Sequence, residues 1–204
     1  MFLVDVKTGE ATATITGVRS RYGRWSRDGK AIFYVRFAEN SLAGQMLKRN
    51  LETQQEEVLY SPGIPGDNFE SLELSPDGRR LAFSGAARDS GEVETVLMVI
   101  PAEGGQPRLL LQVPESEQVR VVGWSPDGRE ILFTRNLKLA TERSTTLWRI
   151  RFEGGEPQKL DLGMNVLNDI RFHPDGRRVA FDSGQRGEEI WVMENFLPAA
   201  KGAK

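Results

Sequence analysis

One ten-residue pattern recurs four times: Trp25-Ser-Arg-Asp-Gly-Lys-Ala-Ile-Phe-Tyr34, Leu74-Ser-Pro-Asp-Gly-Arg-Arg-Leu-Ala-Phe83, Trp124-Ser-Pro-Asp-Gly-Arg-Glu-Ile-Leu-Phe133 and Phe172-His-Pro-Asp-Gly-Arg-Arg-Val-Ala-Phe181. The aspartates fall at 28, 77, 127 and 175, so the period is close to 49 residues. Even spacing of this kind means one supersecondary unit used repeatedly, each copy burying an apolar face against the next. Ser-Pro-Asp-Gly has the chemistry of a type I turn: a capping hydroxyl, a proline that pre-sets φ, and a glycine tolerant of positive φ. A large apolar residue precedes each turn and a run of β formers follows it, as in Ile131-Leu132-Phe133. Each motif is therefore a β-hairpin.

Third strands follow at Gln45–Leu51, Thr95–Ile100, Thr146–Phe152 and Glu189–Glu194. Glu103-Gly-Gly-Gln-Pro and Glu153-Gly-Gly-Glu-Pro then turn the chain into fourth strands over Arg108–Gln112 and Gln158–Leu162. Four antiparallel strands per period is the pattern of a β-propeller blade; a sandwich has neither the fixed period nor the recurring turn. The expected fold is all-β, with four-stranded antiparallel blades. Met1–Val6 and Ala11–Ile15 read as strands three and four of an earlier blade, so residues 1–17 form a half blade. Blades follow at 18–65, 66–114 and 115–163, then an incomplete blade at 164–198 and a disordered tail at 199–204. About four blades is the bottom of the known range, and joining the ends would duplicate strand three. The expectation is an open or partial ring that self-associates through unpaired blade edges.

With 39% hydrophobic and 27% charged residues the chain can build a packed core. A net charge of −2 without basic runs argues against nucleic acid or an anionic membrane as the partner. The absence of cysteine excludes disulfides, thiolate metal sites and thiol nucleophiles. The first residues have neither the basic leader nor the apolar core of a signal peptide, and no stretch approaches the ~20 apolar residues of a membrane helix.

At the Ser-Pro-Asp-Gly-x-x-apolar-apolar-Phe segments the chain resembles the TolB-like (WD-like) family of propeller repeats, departing at Arg27 and His173. That resemblance implies a bacterial protein-interaction propeller, typically six-bladed when closed, and favours the periplasm. The ending Glu189-Ile-Trp-Val-Met-Glu-Asn-Phe-Leu-Pro198 is also similar to large bacterial kinases or transcriptional regulators that carry a C-terminal propeller. A third reading is the propeller of a prolyl-oligopeptidase-type peptidase.

Reactive constellations are missing. His173 replaces a turn serine and reads as turn decoration rather than a base. Asp28, Asp77, Asp127 and Asp175, with Gly29, Gly78, Gly128 and Gly176, read as structural turn residues, since a propeller holds equivalent positions apart around its ring. Trp25 and Trp124 take the core position of the repeat, and Trp148 and Trp191 align in strand three. No Gly-x-Ser-x-Gly elbow or phosphate loop occurs, so no catalytic residue, metal or cofactor is expected. Function then falls to the loop face, where Arg36–Gly44, Gly85–Glu92, Arg135–Thr145 and Asp182–Glu188 read as the strand 2–3 loops. They carry the candidate binding residues Arg36, Asn40, Arg88, Asp89, Arg135, Asn136, Arg143, Asp182, Gln185 and Arg186. The connections between blades add Arg19, Arg21, Tyr22, Asp67, Asn68 and Asp169. Such a mixture of arginine, carboxylate and amide suits a protein or peptide partner.

Overall fold

A computed structural model describes residues 1–13, 15, 19–37, 44–62, 68–89, 92–137, 145–163, 167–173, 178–183 and 189–194. A two-stranded sheet comes first, β1 (Phe2–Val4) with β2 (Ala11–Ala13). Blade one is β3 (Arg19–Trp25), β4 (Ala31–Phe37), β5 (Gly44–Asn50) and β6 (Glu56–Tyr60). Blade two is β7 (Asn68–Leu74), β8 (Arg80–Asp89), β9 (Glu92–Pro101) and β10 (Arg108–Pro114). Blade three is β11 (Glu117–Trp124), β12 (Glu130–Leu137), β13 (Thr145–Arg151) and β14 (Gln158–Leu160). The last sheet, β15 (Asn168–Phe172), β16 (Arg178–Ser183) and β17 (Glu189–Glu194), has three strands. Every pairing is antiparallel between sequence neighbours, which makes each sheet a meander. The fold is a β-propeller whose sheets do not close into a ring.

Three of the turns are built alike. Ser26 Oγ donates to Asp28 Oδ1 at 2.6 Å and accepts the Ala31 amide at 2.8 Å, while the Lys30 amide donates to Asp28 Oδ1 at 3.1 Å. Ser75 with Asp77 and Ser125 with Asp127 repeat the arrangement at nearly the same distances. Gly29, Gly78 and Gly128 each stand at φ near +70° and close the turn on the serine carbonyl. In the last sheet the His173 amide still donates to the Arg178 carbonyl; Asp175 and Gly176 lie outside the described residues.

Alternation along strand two decides how the sheets stack. Ile32 and Tyr34, Leu81 and Phe83, Ile131 and Phe133, and Val179 and Phe181 are buried towards the preceding sheet. The opposite face of blade one offers Phe33, Val35 and Phe37 to blade two. Inner strands β3, β7, β11 and β15 adjoin in succession and form the inner rim.

Three expectations are corrected. Trp25 is 52% exposed in this chain, against 8% for Trp124, although both hold the core position of the motif. The Trp124 indole rests on the inner strand of the blade before it, donating Nε1–H to the Glu73 carbonyl at 3.2 Å. Among the described residues the β1–β2 sheet has no inner strand to receive Trp25 in that way. The described ends of the supposed 2–3 loops are paired backbone: β8 and β9 pair to Asp89↔Glu92, and Arg36↔Gln45, Asn136↔Thr145 and Ser183↔Glu189 are ladder partners, while the residues between these last three pairs lie outside the described ones. Arg19, Arg21, Tyr22, Asn68 and Asp169 likewise belong to inner strands rather than connections, because strand one starts earlier than its apolar residues imply.

Ser71 pins blades two and three together. Its hydroxyl meets Ser84 Oγ at 2.6 Å and accepts the Val121 amide at 2.8 Å, all within a buried interface. Replacing Ser71 with alanine leaves that amide unpaired and is expected to cost about 2 kcal/mol, read as a lower urea midpoint. The turn aspartates set an acid limit. Hydrogen bonds from the Ser26 and Ser75 hydroxyls, then from turn amides, hold the Asp28 and Asp77 carboxyls below their ordinary range. At Asp127 burial opposes the charge, but the Ser125 hydroxyl and the Arg129 amide outweigh it. Their contribution is complete above the unfolded carboxylate pKa of about 4 and is lost as pH falls through the lower folded values. Denaturant midpoints measured from pH 6 down to pH 2.5 should drop across that window, and less steeply in Asp77→Asn.

Candidate binding cleft at the inner rim

The residue just before the motif's aromatic or leucine occupies the same place on every inner strand: Arg24, Glu73, Gly123 and Arg171. These four line a cleft of about 540 Å³ with Leu74, Pro76, Val122, Trp124, Ile170 and Phe172. Its wall is fixed by one charge pair. Arg24 Nε donates to Glu73 Oε2 at 2.8 Å, and Nη2 engages the other carboxylate oxygen. Arg24 Nη1 donates to its own neighbour's carbonyl, Gly23 O, and Arg171 Nη1 does the same to Ile170 O at 3.0 Å.

Gly123 is open space by necessity. A Cβ there would lie 2.8 Å from two carbons of the Phe172 ring, so this ring closes over the backbone of the neighbouring blade only because no side chain intervenes. The cleft opens on the side of the 1–2 turns. Those turns stack from blade to blade, Gly78 against Arg27 and Gly128 against Pro76.

The sequence-derived candidates are distributed differently. Arg36 Nη1 donates to Glu56 Oε2 at 2.8 Å, in a cluster where Glu56 also accepts from Tyr34 Oη at 2.6 Å and Arg49 Nη1 at 2.7 Å. Burial works against the Glu56 charge, yet these three donors lower its pKa on balance. Burial first, and then the bond to Glu56, push the Tyr34 phenol far up. Arg135 directs Nε and Nη2 onto Glu117 Oε2 at 2.9 and 2.6 Å and lies over the Trp148 ring, 4.8 Å from its centre. Asn136 and Asp182 are strand residues, as are Arg88 and Asp89 at the β8 tip. Asn40, Arg143, Gln185, Arg186 and Asp67 fall outside the described residues. Thus two of the arginines assigned to recognition are already paired within their own blade.

A second hollow, of about 430 Å³, lies along blade three beside Gly154 and Gly155. Arg149 spans its wall between Glu130 and Gln158, at 3.2 and 2.9 Å. Among the described residues no three His, Cys, Asp or Glu side chains are grouped to hold a metal ion. None of the described segments is a helix long and apolar enough to cross a membrane.

No protein-family model and no curated protein matches the chain. Its solved structural neighbours include TolB from Acinetobacter baumannii, with a TM-score of 0.68 and 18% identity over 95% of this chain and 46% of that one. A TolB-type protein from Agrobacterium tumefaciens superposes with a TM-score of 0.69 and 22% identity, over 94% of this chain and 64% of its own. The chain has a TolB-like propeller fold. The β-propeller domain of the trilobed protease from Pyrococcus furiosus, described as having an open velcro topology, follows at 0.62 and 17% over 95% and 58%. The propeller described here spans from about half to about two thirds of the length of these neighbours.

Sequence reasoning missed Arg24, Glu73, Gly123 and Arg171. The available signal was their fixed place in the repeat, a position holding Arg, Glu, Gly and Arg inside an otherwise apolar context. Substituting Gly123 with alanine is expected to cost about 1–3 kcal/mol, because the Phe172 ring must give way. Calorimetry on the purified variant checks this; a melting temperature unchanged from wild type would contradict the contact.

Proposed function

We propose that this propeller is a non-catalytic protein-interaction module that takes a protein or peptide segment at its loop face or channel mouth. The observation that carries the channel-mouth site is the inner-rim cleft, which draws residues from each of four successive inner strands and so exists only in the assembled arc. Concave sites with an apolar floor and a few charged groups at their edge are where ligands bind in most folds. The reading requires no metal or cofactor.

Arg88 and Arg186 are the substitutions chosen to test the loop face, since removing Arg135 would unpair Glu117. Alanine at both positions is expected to weaken capture of a partner by the immobilised chain several-fold. Undiminished capture would move the docking site off that face. Likeness to a protease propeller keeps a second reading in view, that of an accessory domain for a peptidase. The chain alone should release no product from a fluorogenic peptide substrate; hydrolysis abolished by a serine-directed inhibitor would replace the first reading with the second.

A further inference from the structure

We propose that the Asp28–Gly29 bond is a site of covalent self-modification, isomerising to isoaspartate ahead of its sister bonds, and that the serine of each turn guards against this reaction. Every copy of the motif places aspartate directly before glycine: Asp28-Gly29, Asp77-Gly78, Asp127-Gly128 and Asp175-Gly176, the last outside the described residues. In such a pair the glycine nitrogen can attack the aspartate Cγ. The new N–Cγ bond closes a five-membered succinimide, and the carboxyl OH leaves as water with the amide proton. Water then reopens the ring. Addition at Cγ restores aspartate, whereas addition at the main-chain carbonyl leaves a backbone that runs through Cβ and Cγ, with the α-carboxylate free. Glycine in second place favours the attack because no Cβ crowds the nitrogen.

The folded turn opposes this chemistry at both reacting groups. The amides of Gly29, Gly78 and Gly128 donate to the carbonyls of Ser26, Ser75 and Ser125 at 3.0, 2.9 and 2.9 Å, so the nitrogen that must attack is held as a donor. Oδ1 of each aspartate accepts the serine hydroxyl at 2.6 Å and the amide two residues on at 3.0–3.1 Å. These bonds favour the ionised carboxyl, which is a poorer electrophile than the acid. Succinimide closure therefore waits for the turn to open, and its rate reports that opening.

The turns are not equally restrained. Pro76 and Pro126 fix φ just ahead of their aspartates, while Arg27 holds that place in the first turn and leaves it free to rotate. All three aspartates are exposed, so access does not separate them. Asp28 is then the residue whose turn opens most often. An isoaspartate there lengthens the loop by one carbon and displaces the carboxylate from Ser26. That serine also closes the β3–β4 hairpin by accepting the Ala31 amide, so the lesion loosens the start of strand two in blade one.

Ageing the full chain for several weeks at neutral pH tests the inference, with isoaspartate located by electron-transfer fragmentation and counted by isoaspartyl methyltransferase labelling. A parallel sample is kept unfolded in guanidinium. Unfolded, the bonds at Asp28, Asp77 and Asp127 should react at similar rates. Folded, all three should slow, with Asp28 several-fold ahead of the other two. Arg27→Pro should bring Asp28 down to the pace of its sisters, and Ser26→Ala should speed it several-fold. Circular dichroism identifies a variant that fails to fold, and the order of the three bonds in the unaltered chain decides without any variant. Three results overturn the inference: Asp28 no faster than Asp77 and Asp127, equal rates in the folded and unfolded samples, or a folded Arg27→Pro chain that isomerises at Asp28 as fast as before.

Discussion

The whole arc depends on a single repeated contact, the pair of strand-two side chains that each sheet buries against the sheet before it. Leu81 and Phe83 fill the face of blade one, and Ile131 and Phe133 fill that of blade two. A buried side chain of this size contributes about 1.5–3 kcal/mol, so each interface gathers enough from a few residues to hold a four-stranded sheet that is not stable alone. In the first interface the rings of Tyr60, Phe69 and Phe83 meet at centroid separations of 5.5 to 6.2 Å in tilted and edge-on geometries. Blade one uses Tyr34 where the others use phenylalanine, and the added hydroxyl is satisfied by Glu56.

Polar contacts then set how the stacked sheets align. Thr95 donates to the Glu117 carbonyl, Lys48 pairs with Glu103 in the next blade's 3–4 turn, and Arg108 donates to the Glu153 carbonyl one blade further on. Apolar faces slide on one another at little cost, whereas the buried Thr95 hydroxyl has few other acceptors, so its bond fixes register where packing does not, with the two exposed contacts adding less. The cleft inherits its geometry from that alignment, since its residues come from different sheets.

Fold was legible in the sequence because the period and the turn chemistry are local. Ser75, Asp77 and Gly78 state their turn within four residues, and the turns 5-10 and 50-55 are recognisably alike, Asp5 and Asn50 each accepting two following amides. The candidate site was less legible because it is made by pairings across long intervals. Arg36 and Arg135 read as loop arginines, yet their partners Glu56 and Glu117 lie twenty and eighteen residues away on other strands. Trp25 and Trp124 hold the same place in the motif and differ in exposure because, among the described residues, only Trp124 has an inner strand of a preceding sheet to rest on. Neither distinction is present in a window of ten residues.

Every inner strand breaks register with strand two once: between Arg21 and Arg24, Phe69 and Ser71, Val121 and Gly123, and Asn168 and Arg171. A bulge bends and overtwists the strand that carries it. The free edges along the rim are therefore crooked, and a straight strand laid against one would find its hydrogen-bonding groups out of step after a few residues. Backbone exposed at the centre of the arc is thus poorly matched to sheet extension. Whatever enters there must be held by side chains, which leaves selectivity to residues that vary from blade to blade while the scaffold repeats.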